Sequence, residues 1–192
     1  IRLLKIPFHK PHITKKEVDS VIETMQSGWL TMGPKTIQFE NNFKENIGSQ
    51  YAISVNSATS ALHLALNAVG VGIGDEVIMP TNTFIATAEA VAYSGAQPVL
   101  CDIENTYHNI DINLIEKLIT PNTKAIIPVH FGGNSREMDR ITSIARQHNL
   151  KVIEDAAHAL PSFYKNKKIG SFSDVVCFSF YATKTLSTGE GG

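Results

Sequence analysis

The sequence predicts an α/β protein in which a mostly parallel β-sheet is covered by helices on both faces. From residue 51 onwards, short apolar runs alternate with longer segments whose apolar residues recur at helical spacing. This alternating order is typical of parallel sheets. Several of the short runs are apolar at consecutive positions, as expected for strands that are buried on both faces.

The first fifty residues are predicted to form an extended arm followed by two helices. Residues 1–13 form the arm. Thr14 followed by Glu17 is a capping box that opens a helix ending near Met25. The apolar face of this helix consists of Val18, Val21, Ile22 and Met25. A second helix is predicted to end near Gly48, because glycine is favoured just past a helix C-terminus.

The remainder is predicted to alternate between strands and helices. The predicted strands cover residues 51–55, 76–79, 98–101, 124–129, 151–154 and 175–180. The predicted helices cover residues 57–69, 84–93, 111–119 and 136–148. Glycines at positions 70, 72 and 74 have the spacing of a nucleotide-binding fingerprint. They follow a helix and precede a strand, which is the wrong context, so a turn is predicted there.

Composition and charge exclude several classes of function. A formal charge of −1 without a basic stripe argues against nucleic acid as the main partner. Cys101 and Cys177 lie in apolar runs without CxxC spacing, which argues against a disulfide framework or a zinc site. The apolar runs are too short for a membrane span, and no signal-peptide pattern is present. We therefore expect a cytoplasmic protein without a metal.

The last forty residues suggest a chemistry. Asp155 ends one predicted strand and Lys184 follows another, and the carboxyl ends of parallel strands are where such sheets bind ligands. Pyridoxal phosphate (PLP) enzymes use this pair, since a lysine bonds the cofactor aldehyde and an acid stays ionised against the ring nitrogen. Taken singly, Asp155 is better explained as a helix N-cap and Lys184 as a surface side chain, so the prediction rests on the set of residues.

Three further strand ends offer polar or aromatic side chains. Residues 56–60 (NSATS) combine hydroxyls with a helix N-terminus, which favours a phosphate, although simple N-capping explains them equally well. Phe84 is either a stacking platform for an aromatic ring or a core residue. His130 is either a site residue or a hydrogen-bonded loop histidine. Tyr181 is expected to line a substrate cleft.

Five segments together carry a resemblance to a known family. They are SGWLTMGP, VNSATSALHLAL, GDEVIMPTNTFIATAEAVAYSGAQPVLCDI, VIEDAAHA and FSFYATKTLSTGEGG. In order and spacing this set resembles the DegT/DnrJ/EryC1/StrS aminotransferases, which are PLP enzymes of fold type I acting on nucleotide-linked keto-sugars. The resemblance covers essentially the whole chain. It implies a doubly wound, mostly parallel sheet of the seven-stranded type, as in the large domain of aspartate aminotransferase.

The resemblance also assigns roles to single residues. It implies that Lys184 bonds PLP and moves the proton, that Asp155 pairs with the ring nitrogen, and that Phe84 stacks on the ring. The remaining implied contacts are His158 near the ring O3′, Ala58, Thr59 and Ser179 at the phosphate, and Trp29 and Thr31 near the sugar. Many relatives have glycine where this chain has Ala58. If that backbone needs a positive φ, alanine is unfavourable there.

The implied reaction is transamination of a nucleotide-linked keto-sugar with an amino-acid donor, L-glutamate by family resemblance. One alternative is a sugar dehydratase of the same family, in which histidine characteristically replaces the lysine; position 184 is lysine. A carbon–sulfur lyase is opposed by the SGWLTMGP and FSFYATK segments. A third alternative is a non-catalytic, regulatory relative that binds a sugar nucleotide, which the intact Lys184/Asp155 pair opposes.

The resemblance also implies a further domain and a partner subunit. Residues 1–192 are expected to be an N-terminal arm plus most of the PLP-binding large domain, with a C-terminal small domain missing from this chain. A homodimer with a shared active site is also expected. We therefore expect this segment alone to be a poor catalyst.

Overall fold

Five parallel strands form the sheet at the centre of the computed structural model, which describes residues 6–135 and 137–192. They are Glu76–Pro80 (β1), Gln97–Cys101 (β2), Thr123–Ile126 (β3), Lys151–Asp155 (β4) and Val175–Cys177 (β7). A separate antiparallel hairpin pairs Phe163–Tyr164 (β5) with Lys167–Lys168 (β6). The order in the sheet is β2-β1-β3-β4-β7, and every pairing is parallel, as predicted.

The described residues also form six α-helices, each within a few residues of its predicted position. They are Lys15–Gln26 (α1), Pro34–Ile47 (α2), Ala58–Ala68 (α3), Ile85–Tyr93 (α4), Ile112–Leu118 (α5) and Met138–Gln147 (α6). The predicted start of the last helix, Arg136, and the first five residues of the predicted arm lie outside the described residues. Within the described ranges, no helix is both long enough and apolar enough to cross a membrane.

The predicted helix ends have the expected chemistry. The Thr14 backbone N–H donates to Glu17 Oε2 over 2.6 Å, and the Thr14 hydroxyl accepts from the Lys16 N–H, which confirms the capping box. Gly48 ends α2 in the left-handed region, with φ 84°. A residue with a Cβ is disfavoured in that conformation, so glycine stops the helix there.

Helices cover both faces of the sheet because successive strand residues point to opposite sides. Val77 and Met79 of β1 pack in one core cluster with α3 and α4. Ile78, between them in sequence, packs in the other cluster with α5 and α6. All three side chains are fully buried. The predicted two-sided burial of the strands is confirmed.

Helix α2 lies against the segment that follows β7 through aromatic rings. The Phe43 ring meets those of Phe178 and Phe180 edge-on, with centroids 5.2 and 5.5 Å apart. Phe39 makes a similar edge contact with Phe180, at 5.2 Å. Edge-to-face aromatic pairs of this kind contribute beyond the area they bury. This contact fixes the chain between β7 and Lys184.

Three strand predictions need correction. Residues 51–55 are extended but form no strand, because only Val55 exchanges both backbone hydrogen bonds with Gly192 and no neighbouring pair continues the ladder. The strand predicted over 124–129 ends at Ile126. The mostly parallel, doubly wound type of sheet is as predicted, and its described part has five strands. The strand predicted over 175–180 ends at Cys177. Beyond Cys177 the chain leaves the sheet, and the Phe180 N–H donates to the Gly191 carbonyl.

Helix α1 has the predicted apolar face, yet the described part of the chain buries none of it. Val18, Val21, Ile22 and Met25 are all exposed, at 46–64% of their surface. The periodicity correctly predicts an amphipathic helix, but it does not say which surface covers that helix. Trp29 in the following loop is similarly exposed, and its indole N–H donates to the Met32 carbonyl over 2.9 Å.

Gly192 lies so close to the start of α3 that no side chain fits. A Cβ at this position would lie 2.4 Å from the carbonyl carbon of Ser57 and 2.5 Å from the Ala58 nitrogen. Backbone atoms cannot yield to such an approach without moving the turn itself. The glycine is therefore required for the pairing of Gly192 with Val55 and for the placement of the α3 N-terminus.

We predict that Gly192→Ala lowers the free energy of unfolding by about 1–3 kcal/mol, the usual cost of overpacking. Urea denaturation of the full-length protein measures this loss. The matched control is Gly72→Ala, because a Cβ there meets nothing within 4 Å and the expected change stays within about 0.5 kcal/mol. Equal stability of the two variants would contradict the steric argument.

Candidate active site

A cavity of about 500 Å³ opens where the sheet strands end at their carboxyl termini. Its wall is formed by the N-termini of α3 and α4, the end of β4, and the segment after β7. The predicted site residues that line it are Ala58, Thr59, Phe84, Asp155, His158, Ser179, Tyr181 and Lys184. Residues from distant parts of the sequence thus meet at one edge of the sheet, as expected for parallel strands.

The N-terminus of α3 presents backbone donors to the cavity. Ser57 caps the helix, and its hydroxyl accepts from the Ser60 N–H over 3.1 Å. Ala58 and Thr59, the first two helical residues, have N–H groups without an intrahelical acceptor, and the helix dipole adds positive potential there. Capping and anion binding therefore coexist at this turn, because they use different N–H groups. An anion such as a phosphate fits this position.

Ala58 is not strained. It begins α3 in ordinary helical backbone and is absent from the residues with positive φ. The concern that alanine replaces a required glycine is therefore removed. Ser179 reaches the same cavity from the segment after β7, and its hydroxyl accepts from the Tyr181 N–H over 3.3 Å.

Phe84 lies at the cavity as the N-cap of α4, which begins at Ile85, one residue after the predicted start of the helix. Its side chain is 72% exposed. Of the two interpretations offered by the sequence, the core residue is wrong, because a core phenylalanine is buried. An exposed ring at the wall of a cavity is available to stack on a planar ligand.

The Asp155 carboxylate is buried, with 5% of the residue exposed, and both of its oxygens accept hydrogen bonds from the protein. Oδ2 accepts from the Thr87 hydroxyl at 2.7 Å, and Oδ1 accepts from the Ala157 backbone N–H at 3.2 Å. Asp155 is the last residue of β4 and is followed by a turn, so it caps no helix. A buried carboxylate with lone pairs still facing a cavity can accept from a ligand N–H.

Thr87 was not predicted from the sequence, yet it contacts the site. It belongs to the first turn of α4, is fully buried, and contacts the Asp155 carboxylate directly. Thr83, four residues earlier, lines the cavity and lies 2.6 Å from the Thr87 hydroxyl, oxygen to oxygen. The sequence carries no clear signal for this contact, because Thr83 lies before α4 and a spacing of four places two side chains on one face only within a helix.

Lys184 is half-buried in a turn after β7, with its backbone N–H donating to the Tyr181 carbonyl. Burial lowers the pKa of its amine, and the Asp155 carboxylate partly opposes this by favouring the charged form. A lowered pKa increases the share of neutral amine near physiological pH. A neutral amine is what a nucleophile or general base requires.

His158 lies at the cavity in a turn. The interpretation of Asp155 as a helix N-cap had implied a helix at this position. Its Nδ1 accepts from the Gly132 backbone N–H over 3.3 Å. Partial burial and the nearby Lys184 lower the pKa of its imidazole, which favours the neutral ring. Because Nδ1 is the acceptor, the proton of the neutral ring resides on Nε2.

His130 is resolved as a hydrogen-bonded buried histidine that also touches the cavity wall. Its Nε2 lies 2.7 Å from Glu154 Oε2, and Ser173 donates to the other oxygen over 2.6 Å. Its backbone N–H donates to the Asp155 carbonyl, and the Asp155 N–H donates to the Pro128 carbonyl. The segment after β3 is thereby tied to the end of β4.

Two predicted residues lie elsewhere. Trp29 and Thr31 are outside the set that lines the cavity, so their role near a sugar stays a prediction. Glu190 and Phe131 line the cavity without having been predicted. No cluster of three or more potential metal ligands occurs within residues 6–135 and 137–192.

Comparison with known proteins places these features in a family. The model of the DegT/DnrJ/EryC1/StrS aminotransferase family matches residues 11–192. The spore coat polysaccharide biosynthesis protein SpsC of Bacillus subtilis is 51% identical over 187 residues, which are 97% of this chain and 48% of SpsC. The GDP-perosamine synthase of Caulobacter vibrioides is 47% identical over 191 residues, covering 99% of this chain and 52% of that protein.

Solved structures agree with the sequence relatives. The putative sugar aminotransferase Spr1654 from Streptococcus pneumoniae, in its PMP and PLP forms, superposes with a TM-score of 0.96 at 37% identity. The match covers 98% of this chain and 51–52% of Spr1654. The chain thus spans about half the length of the relatives it matches. The fold is that of these aminotransferases, and the chain belongs to the DegT/DnrJ/EryC1/StrS aminotransferase family.

Proposed function

We propose that this chain provides the cofactor-binding part of a PLP-dependent aminotransferase that acts on a nucleotide-linked keto-sugar. The observation that supports this most is the convergence of the Lys184 amine, the Asp155 carboxylate and the α3 N-terminus on one cavity. Family membership and the similarity to GDP-perosamine synthase support it independently.

The donor set fits PLP group by group. The amine of Lys184 suits the aldehyde, and the Asp155 carboxylate suits a protonated ring nitrogen. The backbone N–H groups of Ala58 and Thr59 suit the phosphate, and the exposed ring of Phe84 suits the face of the pyridine. A cavity of about 500 Å³ also lies within the usual range for cofactor sites, roughly 300–1,000 Å³.

Each of these residues has a task in transamination. When bound, PLP supplies an electron sink that stabilises negative charge on the carbon being deprotonated. The Asp155 carboxylate would accept a hydrogen bond from the protonated ring nitrogen. Lys184 Nζ takes the proton from the α-carbon of the amino donor, and its burial keeps part of the amine neutral for this purpose. The neutral His158, with its proton on Nε2, can donate to a ring oxygen.

The finer parts of the proposal rest on family resemblance. They are L-glutamate as donor, a role in polysaccharide biosynthesis, a homodimer with a shared site, and a cytoplasmic location. The exposed apolar face of α1 supports a covered surface in the assembled protein. The free, buried cysteines Cys101 and Cys177 are compatible with a reducing compartment.

Activity on defined substrates tests the proposal. The full-length protein with PLP and L-glutamate is predicted to aminate at least one member of a panel of nucleotide-linked keto-sugars, detected by mass. Lys184→Ala is predicted to lower this rate at least about a hundredfold, because it removes the base and the nucleophile. Lys167→Ala, an exposed lysine of the β5–β6 hairpin, is the control that retains full activity.

Other outcomes favour the alternatives. Loss of water from the sugar without amination indicates a dehydratase. Sugar-nucleotide binding with neither reaction indicates a regulatory relative. Amination by Lys184→Ala at the rate of the control would contradict the assignment of Lys184.

The lowered pKa of Lys184 gives a test that needs no substrate. In the cofactor-free protein, acylation of Lys184 is predicted to reach half its maximal rate at a lower pH than acylation of lysine in a model peptide. The reason is that burial disfavours the charged amine, so the reactive neutral form appears earlier as the pH rises. Mass spectrometry of the labelled peptide measures the profile. A midpoint at or above that of the model peptide would contradict it.

A further inference from the structure

Thr87 makes a contact that its position in a helix does not require. Threonine and serine in helices can donate to the carbonyl four residues earlier. Thr24 in α1 does so with Ser20 over 2.8 Å, and Ser94, just after α4, does so with Ala90 over 3.0 Å. Thr87 instead donates to Asp155 Oδ2, sixty-eight residues away, over 2.7 Å. Its hydroxyl is directed at the carboxylate of the site.

The hydrogen bonds around Thr87 have one consistent direction. A hydroxyl has one hydrogen to donate, and an ionised carboxylate only accepts. The Thr87 hydrogen is therefore used by Asp155, and the Thr83 hydroxyl, 2.6 Å away, must be the donor to Thr87. The result is a two-hydroxyl chain that begins at the cavity wall and ends on the carboxylate. Each donor in such a chain strengthens the next in a low-dielectric interior.

The carboxylate is held from two elements at once. Thr87 contributes a donor from α4 to one oxygen, and Ala157 contributes a backbone donor from the turn after β4 to the other. The residue itself is only 5% exposed, so water does not replace a lost donor easily. Two donors at opposite oxygens fix the plane of the group, and they leave lone pairs for one ligand N–H.

We propose that Thr87 is a positioning residue, which with Thr83 orients the Asp155 carboxylate so that it pairs with a protonated ring nitrogen of the cofactor. The inference rests on the proposed function and deepens it, because it assigns the control of the electron sink to α4. Thr87 touches neither substrate nor cofactor, so its effect passes entirely through Asp155.

Two substitutions distinguish the effect of the Thr87 hydroxyl from the effect of its packing. Thr87→Val keeps the shape of the side chain and removes the donor, whereas Thr87→Ser keeps the donor and removes a methyl group. In the full-length protein loaded with PLP labelled with ¹⁵N at the ring nitrogen, NMR distinguishes the protonated from the neutral ring. Equilibrium dialysis gives the dissociation constant of PLP, and melting of the cofactor-free protein monitors folding.

We expect the wild type and Thr87→Ser to show the protonated ring and dissociation constants within about threefold of each other. We expect Thr87→Val to shift the signal towards the neutral ring and to bind PLP about tenfold more weakly, as for loss of one hydrogen bond to a charged group. Thr83→Val is expected to shift the ring-nitrogen signal in the same direction, but by a smaller amount. Steady-state kinetics are expected to show that Thr87→Val lowers kcat more than it changes KM for the sugar.

The outcomes are decisive and separable. A Thr87→Val protein with the wild-type ring signal and affinity overturns the inference while leaving the proposed function intact. A Thr87→Ser protein as impaired as Thr87→Val shows a packing role and also overturns it. Asp155→Asn must abolish the protonated signal; if it does not, the pairing of Asp155 with the ring nitrogen is wrong. A wild type that takes up no PLP overturns the proposed function and this inference together.

Discussion

The buried carboxylate of Asp155 is the constraint on which the arrangement of the site depends. Burying a carboxylate is costly unless donors satisfy its oxygens. Here one donor comes from α4, which the fold brings to the end of β4, and the other comes from the turn directly after β4. The end of β4 and the start of α4 must therefore keep their relative positions. The paired backbone bonds between Asp155 and the segment after β3 hold the same strand end from its other side.

The parallel sheet explains why the remaining groups join this carboxylate. Strands that run the same way present their carboxyl ends at one edge, and each helix that follows begins there with unpaired N–H groups. The α3 N-terminus, Phe84 and Lys184 therefore surround the cavity although they are far apart in sequence. Packing fixes the positions of these groups more closely. Gly192 lies directly against Ser57 at the start of α3, and the aromatic contacts of α2 fix the segment before Lys184.

Sequence patterns predicted the elements well wherever burial alone decides them. The fully apolar runs became parallel strands, and the capping box at Thr14 began its helix. Residues 51–55 show the limit, since a strand is defined by its partner and a single paired residue, Val55, does not make a ladder. The exposed face of α1 shows the same limit, because periodicity reveals an apolar face without revealing what covers it.

The site was predictable to a similar degree. Asp155 and Lys184 were predicted from recognisable strand ends and from the few residue types that suit such chemistry, and both line the cavity. Thr87 was not found, because a threonine in an apolar helix has the same local pattern whether it bonds its own backbone or a distant carboxylate. Only the three-dimensional structure shows the direction of its hydroxyl. Trp29 and Thr31, inferred from resemblance, do not line the cavity.

The central claim is that one lysine of this chain forms the covalent bond to PLP. Its most direct test is to incubate the full-length protein with PLP, reduce it with borohydride, digest it and locate the modified residue by mass spectrometry. We predict a single modified lysine, Lys184, in the peptide that follows β7. Modification of another lysine, or uptake of PLP without any borohydride-stable bond, would contradict it.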